Sequence, residues 1–414
     1  MESPNHAIAA LDILAQKSVT SLFQPILSIK KMGVVGLEAL GHGVDTMTQK
    51  PIGPRELYRE LGENQAKLAL DRLFRDKGLE GFAEIQAKVP GLLLFLNIES
   101  SILVPEVVGS GHLRNRVQDL GLNPSKIVIE ISPSENMDAG AILKFVEMQR
   151  SNQFLIGLEE AGPTRASLNH ILQLRPDIVK LEEGLVRDAG KDAFKREGMR
   201  TVARSAHQVG ALMVAKGVET EDDALAALEL GADLLQGGYF SKPQKGEATT
   251  QGLKARVVFM GSRYRRLMTE RMARDTERKN LCQETGLALL RSLEDSTSAY
   301  YYEDAFPKFF QKYPRLECLY LLNQDGVQAS ETVCNLKKVP ERRQHLFQPA
   351  PKGTDHSLKE YYYALTYNKL KHYLTEPYIS LASGNPCVTF SGVLTDPAAE
   401  KSYILCADMD VSQV

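Results

Sequence analysis

No apolar run in this 414-residue chain approaches the roughly 20 residues that a membrane-spanning helix requires. The opening Met1-Glu2-Ser3-Pro4-Asn5-His6 has no basic stretch followed by an apolar core, so no secretory signal is expected and the reading is cytoplasmic. Cysteine is absent before Cys282; the five are Cys282, Cys318, Cys334, Cys387 and Cys406. None forms a CxxC pair, which argues against zinc, and the odd count argues against a complete disulfide framework. They are expected to be buried, reduced thiols acting as small apolar residues. Strong charge of either sign is also lacking. The net charge is −2, so nothing global points to nucleic acid or an anionic membrane.

What is present is alternation. Val34–Leu37, Leu92–Ile98, Ile127–Ile131, Phe154–Leu158, Ile178–Leu181 and Leu212–Ala215 are short, continuously apolar segments, mostly followed by amphipathic stretches. That is the pattern of βα units around a buried parallel sheet. Helices are expected over Ala141–Arg150 and Glu221–Leu230, the latter behind Thr220 and before Gly231. Several such units within about 230 residues predict an α/β barrel in the TIM style, with an open doubly wound sheet as the alternative. Around residues 242–254 the text turns to linker composition, and Lys254–Leu293 reads as one or two connecting helices. The predicted division is a barrel over 1–248, a helical connector over 249–296 and a smaller α+β domain over 297–414.

Polar residues close the apolar runs in Gly36-Leu37-Glu38-Ala39-Leu40, Leu96-Asn97, Glu130-Ile131-Ser132, Val179-Lys180 and Gln236-Gly237. Carboxylates and an amide oxygen at such places suit a hard divalent cation. In this order the segments resemble the EAL family, barrels that hydrolyse cyclic di-GMP, over residues of about 18–245. The resemblance implies Glu38, Asn97 and Glu130 as ligands of a first metal. It puts Glu159 where an aspartate bridges two metals and Glu160 where a second aspartate holds the other. It makes Lys180 the lysine facing the attacking water or the phosphate. Gln24, Leu40, Gln236 and Pro243 match residues that hold the dinucleotide. The cofactor implied is Mg or Mn, one ion or none in this chain, with Ca inhibiting hydrolysis.

The departures are specific. His42 stands where the family has a phosphate-gripping arginine, and histidine cannot make the bidentate fork. Glu159 and Glu160 replace aspartates; the extra methylene moves each carboxylate by about 1 Å, a scale that costs on the order of 100-fold in rate. Lys216 replaces a glutamate that serves the second metal, reversing a unit charge beside a dication. Three readings follow: a degenerate domain that binds cyclic di-GMP with little or no hydrolysis, an active phosphodiesterase giving the linear dinucleotide, or a protein-interaction scaffold without nucleotide. The family also makes a homodimer expected.

Twelve of the fifteen tyrosines lie at or after Tyr300. Leu316–Leu322 with Asn323-Gln324-Asp325-Gly326 predicts a hairpin whose second strand starts at Val327. Tyr378–Ser380 and Cys387–Ser391 flank a second turn, and Tyr403–Asp410 reads as a closing strand. The segments YLLNQDGVQAS, EPYISLASGNPCVTFS and LCADMD resemble PAS-like and Cache-like sensor domains. That resemblance implies an unknown small-molecule ligand there.

Overall fold

The computed structural model describes residues 5–45, 48–61, 64–103, 109–132, 139–246, 250–294, 299–335, 345–396 and 401–411. The chain divides into two compact units, Met1–Met268 and Thr269–Val414. The division falls inside one continuous helix, Leu253–Glu294. Among the described residues no helix is long and apolar enough to cross a membrane.

In the first unit the strands are β1 Val19–Ser28, β2 Gly33–Val44, β3 Pro51–Ile52, β4 Leu93–Ile98, β5 Ile127–Ile131, β6 Leu155–Ala161, β7 Ile178–Leu181, β8 Leu212–Ala215 and β9 Leu234–Leu235. β1 pairs with both β2 and β9, so the sheet closes into a barrel and leaves β3 outside the ring. From β2 through β9 the ring neighbours are parallel, separated by helices. β1 departs from the expected parallel pattern and runs antiparallel to both neighbours. The cause is local: only Ile29-Lys30-Lys31-Met32 separates β1 from β2, too short for a crossover helix. Strands β5 and β7 are buried at every residue, as expected where helices cover the outside and side chains fill the inside. The helix Glu221–Glu229 begins with a capping box between Thr220 and Asp223, and Gly231 follows it with φ of +111°.

Inside the barrel, Ile26, Phe95, Val128, Ile178, Val214 and Leu234 form one apolar cluster. On the parallel strands each lies two positions before a polar residue: Asn97, Glu130, Lys180, Lys216 and Gln236 respectively. Side chains two apart on a strand share a face, so the polar residues form a layer above this apolar floor at the carboxyl ends of the strands. Glycine completes the floor at β2. A Cβ on Gly36 would stand 2.7 Å from both the Leu93 carbonyl and the Phe95 ring, so only glycine lets β2 approach there.

The second unit holds an antiparallel sheet in the order β11-β10-β15-β14-β12, with β10 Leu316–Leu322, β11 Val333–Cys334, β12 His372–Leu374, β13 Tyr378–Ile379, β14 Pro386–Asp396 and β15 Lys401–Asp410. β13 pairs with β14 across the turn seen in sequence. The turn at Asn323–Gly326 also forms, but the expected hairpin does not extend. Leu322 and Gln328 make one isolated bridge, and β10 instead pairs along its length with β15. The cysteine expectation is corrected in part. Cys318 and Cys334 sit opposite each other on β10 and β11 and form a disulfide, while Cys282, Cys387 and Cys406 are free and buried.

Candidate functional site

The polar layer of the barrel is a closed charge cluster. Glu38 on β2 is fully buried. Its Oε1 accepts from Asn97 Nδ2 at 2.8 Å and its Oε2 from Gln236 Nε2 at 2.5 Å. The Lys180 ammonium, equally buried, lies 3.0 Å from Glu38, 2.9 Å from Glu130 and 3.6 Å from Glu159. Lys216 Nζ contacts Glu159 Oε1 at 2.5 Å, and Ser132 Oγ donates to Glu159 Oε2 at 3.1 Å. Gln24, opposite Glu38 in the β1–β2 register, accepts from Gln236 at 3.1 Å and donates to the Ser241 carbonyl.

Local sequence aims these groups. Between Leu158 and Ala161 the β6–β7 register shifts, a bulge that falls on Glu159 and Glu160 and re-aims the strand end. The Glu160 side chain lies outside the described residues. Gln236 is fixed by its neighbour. A Cβ on Gly237 would stand 2.0 Å from the Val218 carbonyl oxygen, and that close approach lets Val218 donate to the Gln236 carbonyl at 3.0 Å.

Burial and pairing act in opposite directions on every acid here. Burial raises the Glu38 carboxyl, but Lys180, Lys216, Gln236 and Asn97 outweigh it and lower it to about 2. For Glu130 burial wins over the pull of Lys180, with Glu38 and Glu159 adding repulsion, and the group rises to about 8. Glu159 is lowered: burial raises it, but Lys180 and Lys216 prevail. Lys180 is pushed up, because Glu130, Glu38 and Glu159 overcome its desolvation, and Lys216 is raised in the same way. The two ammoniums thus favour the ionised forms of Glu38 and Glu159, while burial and its acidic neighbours hold Glu130 above the ordinary carboxyl range.

The donor set fits one divalent ion. Oxygens of Glu38, Glu130 and Glu159 lie within 4.8 Å of one another, and Asn97 adjoins them; these are hard donors suited to Mg or Mn. Lys216 pairs with Glu159 beside this donor set, and its positive charge opposes a further dication there.

Above the cluster opens a cavity of about 910 Å³. Glu38, Leu40, His42, Asn97, Glu159, Lys216 and Pro243 line it, so most residues singled out from the sequence converge on one space. Gln24, Glu130, Lys180 and Gln236 are not in its lining; they support the floor. His42 turns Nδ1 to within 3.1 Å of its neighbour's carbonyl, Leu40 O. Sequence reading missed other lining residues, notably Tyr58, Asp71, Phe74, Arg75 and Lys242. Asp71 and Arg75 are four apart on the helix Asn64–Lys88, a spacing that in sequence marks an ordinary surface ion pair.

Residues 8–243 match the EAL domain family. Over 247 residues the chain is 24% identical to the Escherichia coli K12 protein named "Probable cyclic di-GMP phosphodiesterase PdeB", covering 58% of this chain and 45% of that one. It is 23% identical over 250 residues to the EAL-domain containing protein YkuI of Bacillus subtilis 168, covering 60% of each. The chain thus matches less than two thirds of the length of either relative. A crystal structure of YkuI in complex with substrate c-di-GMP and calcium has the same fold, with a TM-score of 0.79 at 20% identity over 97% of this chain and 99% of that one. With a closed barrel, a polar layer at its strand ends and a family match across more than half of its length, the chain belongs to the EAL domain family.

Proposed function

We propose that the barrel is a cyclic di-GMP receptor with little or no hydrolytic activity, and that its occupancy is signalled to the C-terminal unit along the helix Leu253–Glu294. Three things support a nucleotide ligand. A relative is named as a cyclic di-GMP phosphodiesterase, the YkuI structure holds c-di-GMP, and the cavity is in the range of ligand clefts, about 300–1,000 Å³.

The observation that carries the loss of hydrolysis is the Lys216–Glu159 ion pair at 2.5 Å. Two-ion phosphodiester cleavage clamps both the attacking and the leaving oxygen. Lys216 provides a fixed positive charge for a phosphate but has no open coordination site to deliver water. Glu38, Asn97, Glu130 and Glu159 would hold the one remaining ion, which supplies Lewis-acid polarisation when bound. Lys180 is saturated by three carboxylates, so it orders the floor and does not grip substrate. Lys216 and Lys242, both on the cavity wall, are the cations that meet the phosphates.

Calorimetric titration of the full chain with cyclic di-GMP, in Mg²⁺ and again in EDTA, tests this reading, with the cell contents checked for linear dinucleotide. The expected outcome is saturable binding in Mg²⁺ with no product, and binding that persists in EDTA because Lys216 and Lys242 meet the phosphates without the ion. Linear dinucleotide that disappears in Glu38→Ala would show an active enzyme. No heat in either buffer would favour a scaffold.

A further inference from the structure

Arg75 lies on the helix Asn64–Lys88, is 9% exposed and lines the cavity. Its Nη2 is ion-paired with Asp71, while its buried Nε has no hydrogen-bond partner. Asp71 is itself held. Its Oδ1 accepts from the Glu99 backbone N–H at 3.1 Å and from the Tyr58 hydroxyl at 3.4 Å. The guanidinium is therefore oriented by a buried carboxylate that is anchored in turn to a neighbouring strand end and an aromatic side chain. Tyr58 and Phe74 line the same cavity, with ring centroids 6.3 Å apart and planes at 80°. Flat rings beside a preset guanidinium make a place for a planar base.

Arginine carries five donors and no acceptor. The edge of a purine that presents two acceptors, O6 and N7, is guanine's; adenine presents the N6 amine, a donor, in place of O6. We propose that Arg75 is a specificity-determining residue that reads the O6/N7 edge of a guanine seated against Tyr58 and Phe74. This rests on the receptor reading above and adds to it the base that the site selects. A phosphate contact by Arg75 is the competing assignment, and it predicts no preference between bases.

The test measures affinities of the full chain for cyclic di-GMP, cyclic di-IMP and cyclic di-AMP. Hypoxanthine keeps O6 and N7 but lacks the 2-amino group. The wild type is expected to bind the guanine and hypoxanthine ligands within a few-fold of each other, and the adenine ligand about 5- to 150-fold more weakly, the span of one bidentate base contact. Arg75→Ala should lose most of that discrimination. Because Arg75→Ala leaves Asp71 buried without its cation, Arg75→Lys is the second variant. It keeps a charge beside Asp71 but not the fork, so it should stay folded in a thermal melt and still lose the guanine preference. An unchanged guanine-to-adenine ratio in both variants overturns the assignment, as does an equal loss for all three ligands, which marks a phosphate contact. A wild type that loses hypoxanthine but keeps guanine also overturns it. If the wild type binds none of the three, the receptor reading fails and this inference with it.

Discussion

Both units bury acids, and they neutralise them differently. In the barrel, Glu38 and Glu159 are paired with the ammoniums of Lys180 and Lys216. Among the described residues of the C-terminal sheet, Glu317 and Asp408 are held by hydroxyls and an amide rather than by a lysine or arginine ion pair, and the Lys359 charge acts on Asp408 only weakly. Ser383 and Asn385 donate to Glu317 at 2.7 and 2.9 Å, and Thr389 donates to Asp408 at 2.7 Å. The consequence is opposite. Cations lower two barrel acids, whereas burial, reinforced by Glu317 and opposed by the Thr389 bond and the charge of Lys359, raises Asp408 to about 7. At Glu38 and Glu159 the cations prevail over burial; at Asp408, held by a hydroxyl, burial prevails, as it does at Glu130 where Lys180 must serve three acids.

The largest expected effect comes from removing the cation at the centre of the barrel. Lys180→Met leaves Glu38, Glu130 and Glu159 facing one another without it. Breaking a buried pair costs about 3–5 kcal/mol, so the barrel melting temperature should fall by roughly 10 °C or more in a calorimetric scan. An unchanged melt would mean that hydroxyl-type neutralisation serves the barrel as well, and the contrast would collapse.

The second effect is the pH dependence that Asp408 gives to the other unit. The native state of Asp408 holds its proton up to about pH 7, whereas an unfolded aspartate releases it near 3.8. Its contribution is therefore fully present below about pH 4 and is lost as pH rises through about 7, amounting to at most about 4 kcal/mol. Denaturant unfolding of the C-terminal unit followed from pH 4 to pH 8 should show this decline, and Asp408→Asn should flatten it. A decline that persists in the variant assigns the proton elsewhere.

The smallest expected effect on stability is at Gln236, where Gln236→Ala removes one amide bond to Glu38 while both ammoniums remain. It should cost about 1–3 kcal/mol and weaken cyclic di-GMP binding. Unchanged affinity would show that the buried glutamine serves only the floor.

Much of the site was legible in sequence because strand geometry is simple. Polar residues that close apolar runs mark strand ends, so Asn97, Glu130 and Lys180 were legible from the pattern, whereas Gln236 came from the family resemblance. What escaped depends on distant partners. β1 was missed because its pairing follows from a four-residue turn, and the two-residue β9 carries no pattern of its own. Asp71 and Arg75 look like surface charges until the helix is packed over the cavity. Cys318 and Cys334 become neighbours only when β10 and β11 pair. The charge reversal at Lys216 was visible in the sequence, but its contact with Glu159 required the fold.

In the proposed receptor, Lys216 takes the charge role of a second metal ion. The most direct measurement is the number of Mn²⁺ ions retained per chain at saturation, for the wild type and for Lys216→Glu. The expected result is no more than one ion in the wild type and one more in Lys216→Glu. Two ions bound by the wild type would contradict it.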